Sequence, residues 1–293
     1  MILIADSGST KTSWRYIDAA QQIYQAKTVG FNPYFETAPS IAAEILQTLL
    51  PKLPKLTEFS GVLQIFYYGT GCGQTETCQI IHTALAMCFP NATIFVAEDM
   101  LAAARGLAGK EVGIVCILGT GSNSCLYDGE KIIQTVGGLG IMLGDEGSGA
   151  YLGKQLLKDY LNDEMPQLIR NRFDKRFKTT KAEILTHIYS KPYPNRYMAT
   201  FAKFLFDNKS EYYCSQLTHD CFIDFFDKTI AKYMMGTSEH PHDKIPNYKV
   251  HFTGSIAFYF SEYILRIAKE RKIMIGNIAE EPIAGLALFH TPM

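Results

Sequence analysis

The sequence predicts an α/β chain of two duplicated domains, each a mixed sheet flanked by helices, with a helical insertion in the second. Three observations carry this expectation. Short apolar runs end in glycine-rich turns four times: residues 2–5 before 6–12, 62–68 before 69–71, 112–118 before 119–123, and 250–252 before 253–255. A three-strand meander followed by a helix occurs twice, and Gly8 and Gly121 hold matching places in the two copies, 113 residues apart. The 293 residues, at roughly 150 per domain, make about two domains.

In chain order, the strand at 2–5 is followed by runs at 13–16 and 23–29 that read as two further strands around a turn at 18–22. A helix near 39–50 shows Ile41, Ile45 and Leu49 recurring every four residues. A strand at 62–67, a helix near 75–88, a strand at 93–97 and a helix from about 100 to 107 complete the first half. The second half begins again with strands at 112–118, 124–127 and 132–136, a turn at Asp128-Gly129-Glu130, and a helix near 150–161. Residues 162–246 interrupt this copy. They are rich in Lys, Phe and Tyr, carry helical periodicity at Phe201, Phe204 and Leu205 and at Phe222, Phe225 and Phe226, and contain loop signals at 192–195 and 239–246. The pattern resumes with a strand at 249–252, a helix near 256–269, a short strand near 273–275 and a last helix near 282–289, opened by a proline in its first turn. The domains are accordingly placed at 1–108 and 109–293, the insertion at about 162–246, and the last helix is able to pack back on the first domain.

Composition excludes more than it names. Charged residues make up 19%, and 28 Lys+Arg nearly cancel 29 Asp+Glu. Nucleic-acid and acidic-membrane partners call for a basic surplus, and none is present. Seven cysteines form no C-x-x-C pair, which argues against a disulfide framework and a paired zinc site. They read as small buried hydrophobes in a reduced compartment. The N-terminus has no basic segment or long apolar core, and no run approaches the ~20 apolar residues of a membrane span. The expectation is a cytoplasmic protein.

Five segments carry chemistry. In Asp6-Ser7-Gly8-Ser9-Thr10-Lys11-Thr12, glycine lets backbone N–H groups approach a ligand, the hydroxyls of Ser9 and Thr10 and the ammonium of Lys11 are donors to phosphate oxygens, and Asp6 could hold magnesium, usually through water. The same residues suit an ordinary polar hairpin. Gly119-Thr120-Gly121-Ser122-Asn123 repeats both the chemistry and the setting, so two such turns in duplicated halves could grip a triphosphate from both sides. Thr253-Gly254-Ser255, between a strand and a helix, suits close approach to a nucleotide or plain capping by Ser255. Glu98-Asp99 places a carboxylate at a strand's carboxyl edge, as a general base or as the N-cap of a helix starting at Met100. The stretch 137–149 has six glycines and the adjacent carboxylates Asp145 and Glu146, which suit sugar hydroxyls or magnesium, and its Leu139, Ile141, Met142 and Leu143 are too apolar for a solvated linker. The insertion's Phe and Tyr residues read as core, and the histidines show no ligand spacing.

D-S-G-S-T-K-T, E-D before Met100, L-G-T-G-S-N, G-x-x-L-G-D-E-G-S-G and F-T-G-S, in this order, resemble the actin, sugar-kinase and Hsp70 ATPase superfamily. Within it they resemble the N-acetylglucosamine kinase-like family, also called the BadF/BadG/BcrA/BcrD ATPase family. The resemblance spans nearly the whole chain and implies two ribonuclease-H-like, actin-like ATPase domains. It implies phosphate binding at Gly8, Ser9, Thr10, Lys11, Gly119, Thr120, Gly121 and Ser122, an adenosine-side turn at Gly254 and Ser255, magnesium at Asp6, and Asp99 as the base that deprotonates a sugar hydroxyl. Asn32 and Asp145 match sugar-contacting positions, and Asn123, at the end of the second phosphate motif, and Gly144 are expected to contact the substrate with them. The implied activity is ATP- and magnesium-dependent phosphorylation of an amino sugar by a homodimer. Leu139 and Ile141 stand where animal N-acetylglucosamine kinases carry Trp and His, so glucosamine and N-acetylmuramic acid join N-acetylglucosamine as candidates.

Two other readings come with the family. One is an ATPase that drives electrons into a 2-hydroxyacyl-CoA dehydratase or benzoyl-CoA reductase through a cluster shared between subunits; Cys72 and Cys125 lie beside turns but lack that branch's cysteine-glycine motif. The other is a non-catalytic nucleotide or sugar sensor, which would need an output module that the sequence does not show. The cysteine-rich zinc motif of the repressor/open-reading-frame/kinase group is not matched either.

Overall fold

The computed structural model of the chain describes residues 1–8, 10–53, 62–234 and 248–291. Ser9 and the loop expected at 239–246 lie outside them. The chain divides into two units: residues 1–111 and 129–131 with the C-terminal stretch from Glu281, and residues 112–128 with 132–280.

In the first unit β1 (Ile2–Ser7), β2 (Lys11–Ile17) and β3 (Ile23–Val29) form an antiparallel meander, and β4 (Gln64–Gly69) and β5 (Thr93–Glu98) extend it in parallel, in the order β3-β2-β1-β4-β5. The crossovers are α1 (Ala38–Glu44), continued by a wider helical turn through Leu49, and α2 (Thr75–Cys88), and α3 (Asp99–Ala108) follows β5. Successive strand residues point to opposite faces, and β1 is apolar on both because both are covered. Leu3 and Ala5 pack with Trp14, Phe31, Ile41, Ile65, Ile81 and Leu85 on one face. Ile4 packs on the other with Tyr68, Ala102 and residues of the chain's last helix, Ile283–His290.

The second unit repeats the plan. The strands β6 (Gly113–Leu118), β7 (Ser122–Tyr127) and β8 (Ile132–Gly137) form the meander, and β9 (Val250–Thr253) and β10 (Ile275–Ala279) the parallel extension. The order, β10-β9-β6-β7-β8, matches the first sheet strand for strand. After α4 (Gly149–Leu161) come the helices of the insertion, α5 (Gln167–Phe177), α6 (Lys181–Tyr189), α7 (Pro194–Ala199), α8 (Ala202–Asp207), α9 (Tyr212–Phe225) and α10 (Ala231–Met234). Their aromatics are core: the Phe173 ring lies 5.6 Å from Phe201 and 5.5 Å from Phe204. Beyond β9 lie α11 (Ser255–Tyr259) and α12 (Ser261–Glu270), and the last helix, in the first unit, is α13.

Several boundaries differ from the expected ones. The single helix near 256–269 is two helices broken at Phe260, whose side chain is buried against Phe206 and Tyr263. The strand near 273–275 begins only at Ile275, because Lys272 turns left-handed (φ 57°) and the Ile273 N–H still closes α12 on Ala268. Part of the loop expected at 192–195 is helical, since Pro194, lacking an N–H, opens α7. The helix expected from Met100 starts at Asp99 with Glu98 at its N-cap, and Pro282 caps α13 rather than entering its first turn.

Candidate active site

In the first unit the sequence-selected residues collect where β1, β4 and β5 end side by side. The register pairs Asp6 with Tyr68 and Gly69 with Glu98, and the Thr70 N–H continues the ladder to the Ser7 carbonyl at 2.8 Å. The carboxyl edge of parallel strands is where α/β proteins place ligands. Thr70 follows β4 and Asp99 opens α3, and the Thr70 hydroxyl donates to Asp99 Oδ2 at 2.7 Å. Desolvation raises the Asp99 carboxyl, opposed by the Thr70 hydroxyl and the N–H groups of Met100 and Asp99. A carboxylate so raised is a stronger proton acceptor that is still held in one orientation.

The first glycine turn joins β1 to β2, with the Gly8 N–H donating to the Lys11 carbonyl at 3.0 Å. Beneath it runs a buried hydroxyl chain: Ser7 Oγ and Thr12 Oγ1 lie 2.8 Å apart, and Thr12 donates to the Val29 carbonyl at 2.9 Å. Gly30 holds the turn from below, since a Cβ there would stand 2.1 Å from the Gly8 carbonyl oxygen. Thr10 and Lys11 are exposed on the turn.

Asp6 sits one residue from the end of β1. Desolvation, then Asp99 and Glu281, push its carboxyl up to about 7, against a downward pull from Lys11. A divalent cation would offset that crowding of negative charge. No cluster of three or more ligating side chains exists among the described residues. The chemistry of the donor set, one buried carboxylate crowded by other negative charge, is of the kind magnesium takes, since it binds through one or two carboxylates and keeps water or phosphate ligands.

Lys11 is ion-paired to Glu281, the residue before the cap of α13. Glu281 also accepts from Lys27 Nζ at 3.0 Å and Ser13 Oγ at 2.9 Å. Desolvation works upward on Glu281, but Lys11, Lys27 and Ser13 outweigh it and hold the carboxyl at about 2. Asn32 lies in a loop packed on the turn that carries Thr70, since a Cβ on Gly71 would meet the Pro33 and Tyr34 rings at 3.2–3.3 Å. Its side-chain oxygen accepts the Tyr34 N–H at 3.1 Å, so that oxygen is engaged by its own loop.

In the second unit the turn between β6 and β7 is one residue tighter, with the Gly119 N–H donating to the Gly121 carbonyl at 3.0 Å. It rests on the N-terminus of α4: the Gly149 and Ala150 N–H groups donate to the carbonyls of Gly119 and Thr120 at 2.8 and 3.0 Å. Asp145 is brought to the same turn, Oδ1 accepting the Ser122 N–H at 3.2 Å, and a Cβ on Gly121 would lie 2.9 Å from its Oδ2. It is buried and left-handed (φ 62°), a strained conformation for a residue with a side chain, and desolvation raises its carboxyl. Gly144 precedes it, and the Asn123 side chain borders Gly138, 2.9 Å from where a Cβ would stand. Of the apolar residues in this stretch only Ile141 is buried; Leu139, Met142 and Leu143 are 63%, 84% and 78% exposed, contrary to the expectation that their apolarity would keep them from solvent.

Gly254 (φ 105°) is the N-cap of α11, where a Cβ would stand 2.3 Å from the Leu118 carbonyl oxygen. Ser255 is therefore the first residue of α11 rather than its cap, and it is exposed. Sequence reasoning noted the Gly69-Thr70-Gly71 turn without giving Thr70 a role, and it missed Glu281, 270 residues from Lys11, because no local pattern announces so distant a pair.

A sequence model of the BadF/BadG/BcrA/BcrD ATPase family matches residues 5–214. Among solved structures, a proposed N-acetylglucosamine kinase from Porphyromonas gingivalis is 35% identical, with a TM-score of 0.88 over 99% of this chain and 98% of its own. Another, from Chromobacterium violaceum, is 19% identical with a TM-score of 0.68 over 98% of each chain. A ROK family glucokinase from Streptomyces griseus, in complex with glucose and AMPPNP, is 15% identical with a TM-score of 0.52 over 98% of this chain and 97% of its own. The likeness to these last two is one of fold. A search of curated proteins returns no significant match.

Proposed function

The chain belongs to the BadF/BadG/BcrA/BcrD ATPase family, and we propose that it transfers the γ-phosphoryl group of ATP to a hydroxyl of an amino sugar: N-acetylglucosamine, glucosamine or N-acetylmuramic acid. The observation that carries this reading is the Thr70–Asp99 pair, a desolvated carboxylate at the strand ends, in the same unit as the turn that bears Lys11. The name of the 35%-identical relative, similar over nearly the full length of both chains, supports the choice of acceptor.

Phosphoryl transfer asks the protein mainly for position and charge. Asp99 accepts the proton of the attacking hydroxyl, and Thr70 fixes the carboxylate's orientation. Gly8, Ser9, Thr10 and Lys11, and Gly119, Thr120, Gly121 and Ser122, are the proposed donors to phosphate oxygens, and Gly254 with Ser255 is the proposed adenosine-side turn. Asn32, Asn123, Gly144 and Asp145 are the proposed sugar contacts. Magnesium held through Asp6 would neutralise charge on the transferring phosphates. The shared-cluster alternative is disfavoured because Cys72 and Cys125 are 3% and 0% exposed, unsuited to ligating a cluster at a subunit surface.

A coupled ATP-consumption assay against a panel of amino sugars tests the reading. Turnover with at least one of them is expected, and Asp99→Asn should lower kcat by about 10²–10⁴-fold while ATP binding persists. A near-normal rate in that variant rules Asp99 out as the base.

A further inference from the structure

The contacts of Glu281 have a consequence for nucleotide selectivity. Its Oε1 accepts from both Lys11 and Lys27 and its Oε2 from Ser13. Ser13 and Lys27 are register partners across β2 and β3, and Lys11 lies two residues before Ser13 on the same face, so three side chains of one sheet face converge on one carboxylate. The Glu281 side chain is 19% exposed, whereas Lys11 and Lys27 are 51% and 57% exposed. A lysine ammonium on a half-exposed, flexible stem can swing between acceptors. A largely buried carboxylate cannot be left without donors at small cost.

We propose that Glu281 is the resting partner of Lys11, exchanged for the terminal phosphates when a nucleoside triphosphate binds, while Lys27 and Ser13 keep Glu281 satisfied. The inference rests on the nucleotide reading of the first turn. Lys27 on the same oxygen and Ser13 on the other make the exchange inexpensive, because Glu281 retains an ammonium and a hydroxyl after Lys11 leaves. A nucleoside monophosphate lacks the terminal phosphates that this exchange requires. Glu281 therefore sets the contrast between triphosphate and monophosphate without touching the nucleotide, which makes it a positioning residue.

The opposite signs of two variants provide the test. Binding of MgATP and of AMP is measured by calorimetry for the wild type, Glu281→Gln and Lys27→Met, alone and combined with Lys11→Met, with thermal unfolding as the check on folding. With a partly exposed ion pair at stake, Glu281→Gln should tighten MgATP about twofold to fivefold and Lys27→Met should weaken it by a similar factor, AMP being unchanged. Both effects should vanish with Lys11→Met. A merely structural Glu281 would weaken MgATP and AMP alike when replaced, and a general effect of charge would persist without Lys11; either result overturns the exchange. Should Glu281→Gln not fold, Lys27→Met still decides by the same criteria. Failure of the wild type to bind MgATP would instead overturn the nucleotide reading, so the two failures are distinguishable.

Discussion

Asp6 is a carboxyl placed where its ionised form is disfavoured, by desolvation first and then by Asp99 and Glu281. In the folded state it holds its proton up to about 7, against 3.8 for an ordinary aspartate. Across that window the folded chain binds a proton that the unfolded chain releases, so the contribution of Asp6 makes the protein less stable as pH rises. Asp6→Asn should therefore stabilise the metal-free protein, with little effect at pH 3.8, a growing one to about pH 7 and a constant one above, as read from urea midpoints across pH. The places of Asp6 and Lys11 about a glycine turn and of Asp99 after a strand were legible because such turns and a strand-ending carboxylate announce themselves locally. Thr70 was not, since nothing near it in sequence indicates that its hydroxyl meets a carboxylate 29 residues on.

The elements show the same division. Gly254 was legible as a turn residue after a strand, but only the packing of β9 beside β6 sets its backbone against the Leu118 carbonyl. Gly254→Ala should destabilise by about 2–4 kcal/mol, measurable by chemical denaturation, from left-handed strain and the clash together. Glu281 ties α13 to β2 and β3, and its lowered pKa means stabilisation that is complete above the ordinary value of 4.5 and lost as pH falls toward about 2. For the ligand-free protein, Glu281→Gln should cost about 1 kcal/mol at neutral pH, and the difference should shrink in acid. Strands such as β1, β6 and β9 were well read because an apolar run covered on both faces has no helical period to confuse it, whereas the half-exposed last strand was placed too early. The break at Phe260 was missed because the residues around it keep a helical pattern, and the bend answers to distant partners, Phe206 and Phe222.

For the molecule as a whole, a ligand that binds only the folded state stabilises it by mass action. MgATP at a hundredfold excess over its Kd should add about 2.7 kcal/mol, seen as a rise in the melting temperature that AMP at equal concentration matches only if its Kd is as low. Near-neutral charge is compatible with a polyanionic ligand when donors and a cation are gathered locally, as proposed for Lys11 and a magnesium ion at Asp6, rather than spread as a basic surface. The duplication was visible in sequence as two glycine turns in matching meanders, and the two sheets carry the same strand order. By itself, the sequence determined the α/β class, the repeat and the residue types available for phosphate and proton chemistry, because periodicity and glycine turns are local properties of the chain. Tertiary structure alone decided which of those groups meet: Thr70 on Asp99, Glu281 on Lys11 and Lys27, and Asp145 on the Ser122 N–H. Contacts between residues far apart in sequence depend on strand register and helix packing, and these in turn depend on the whole core.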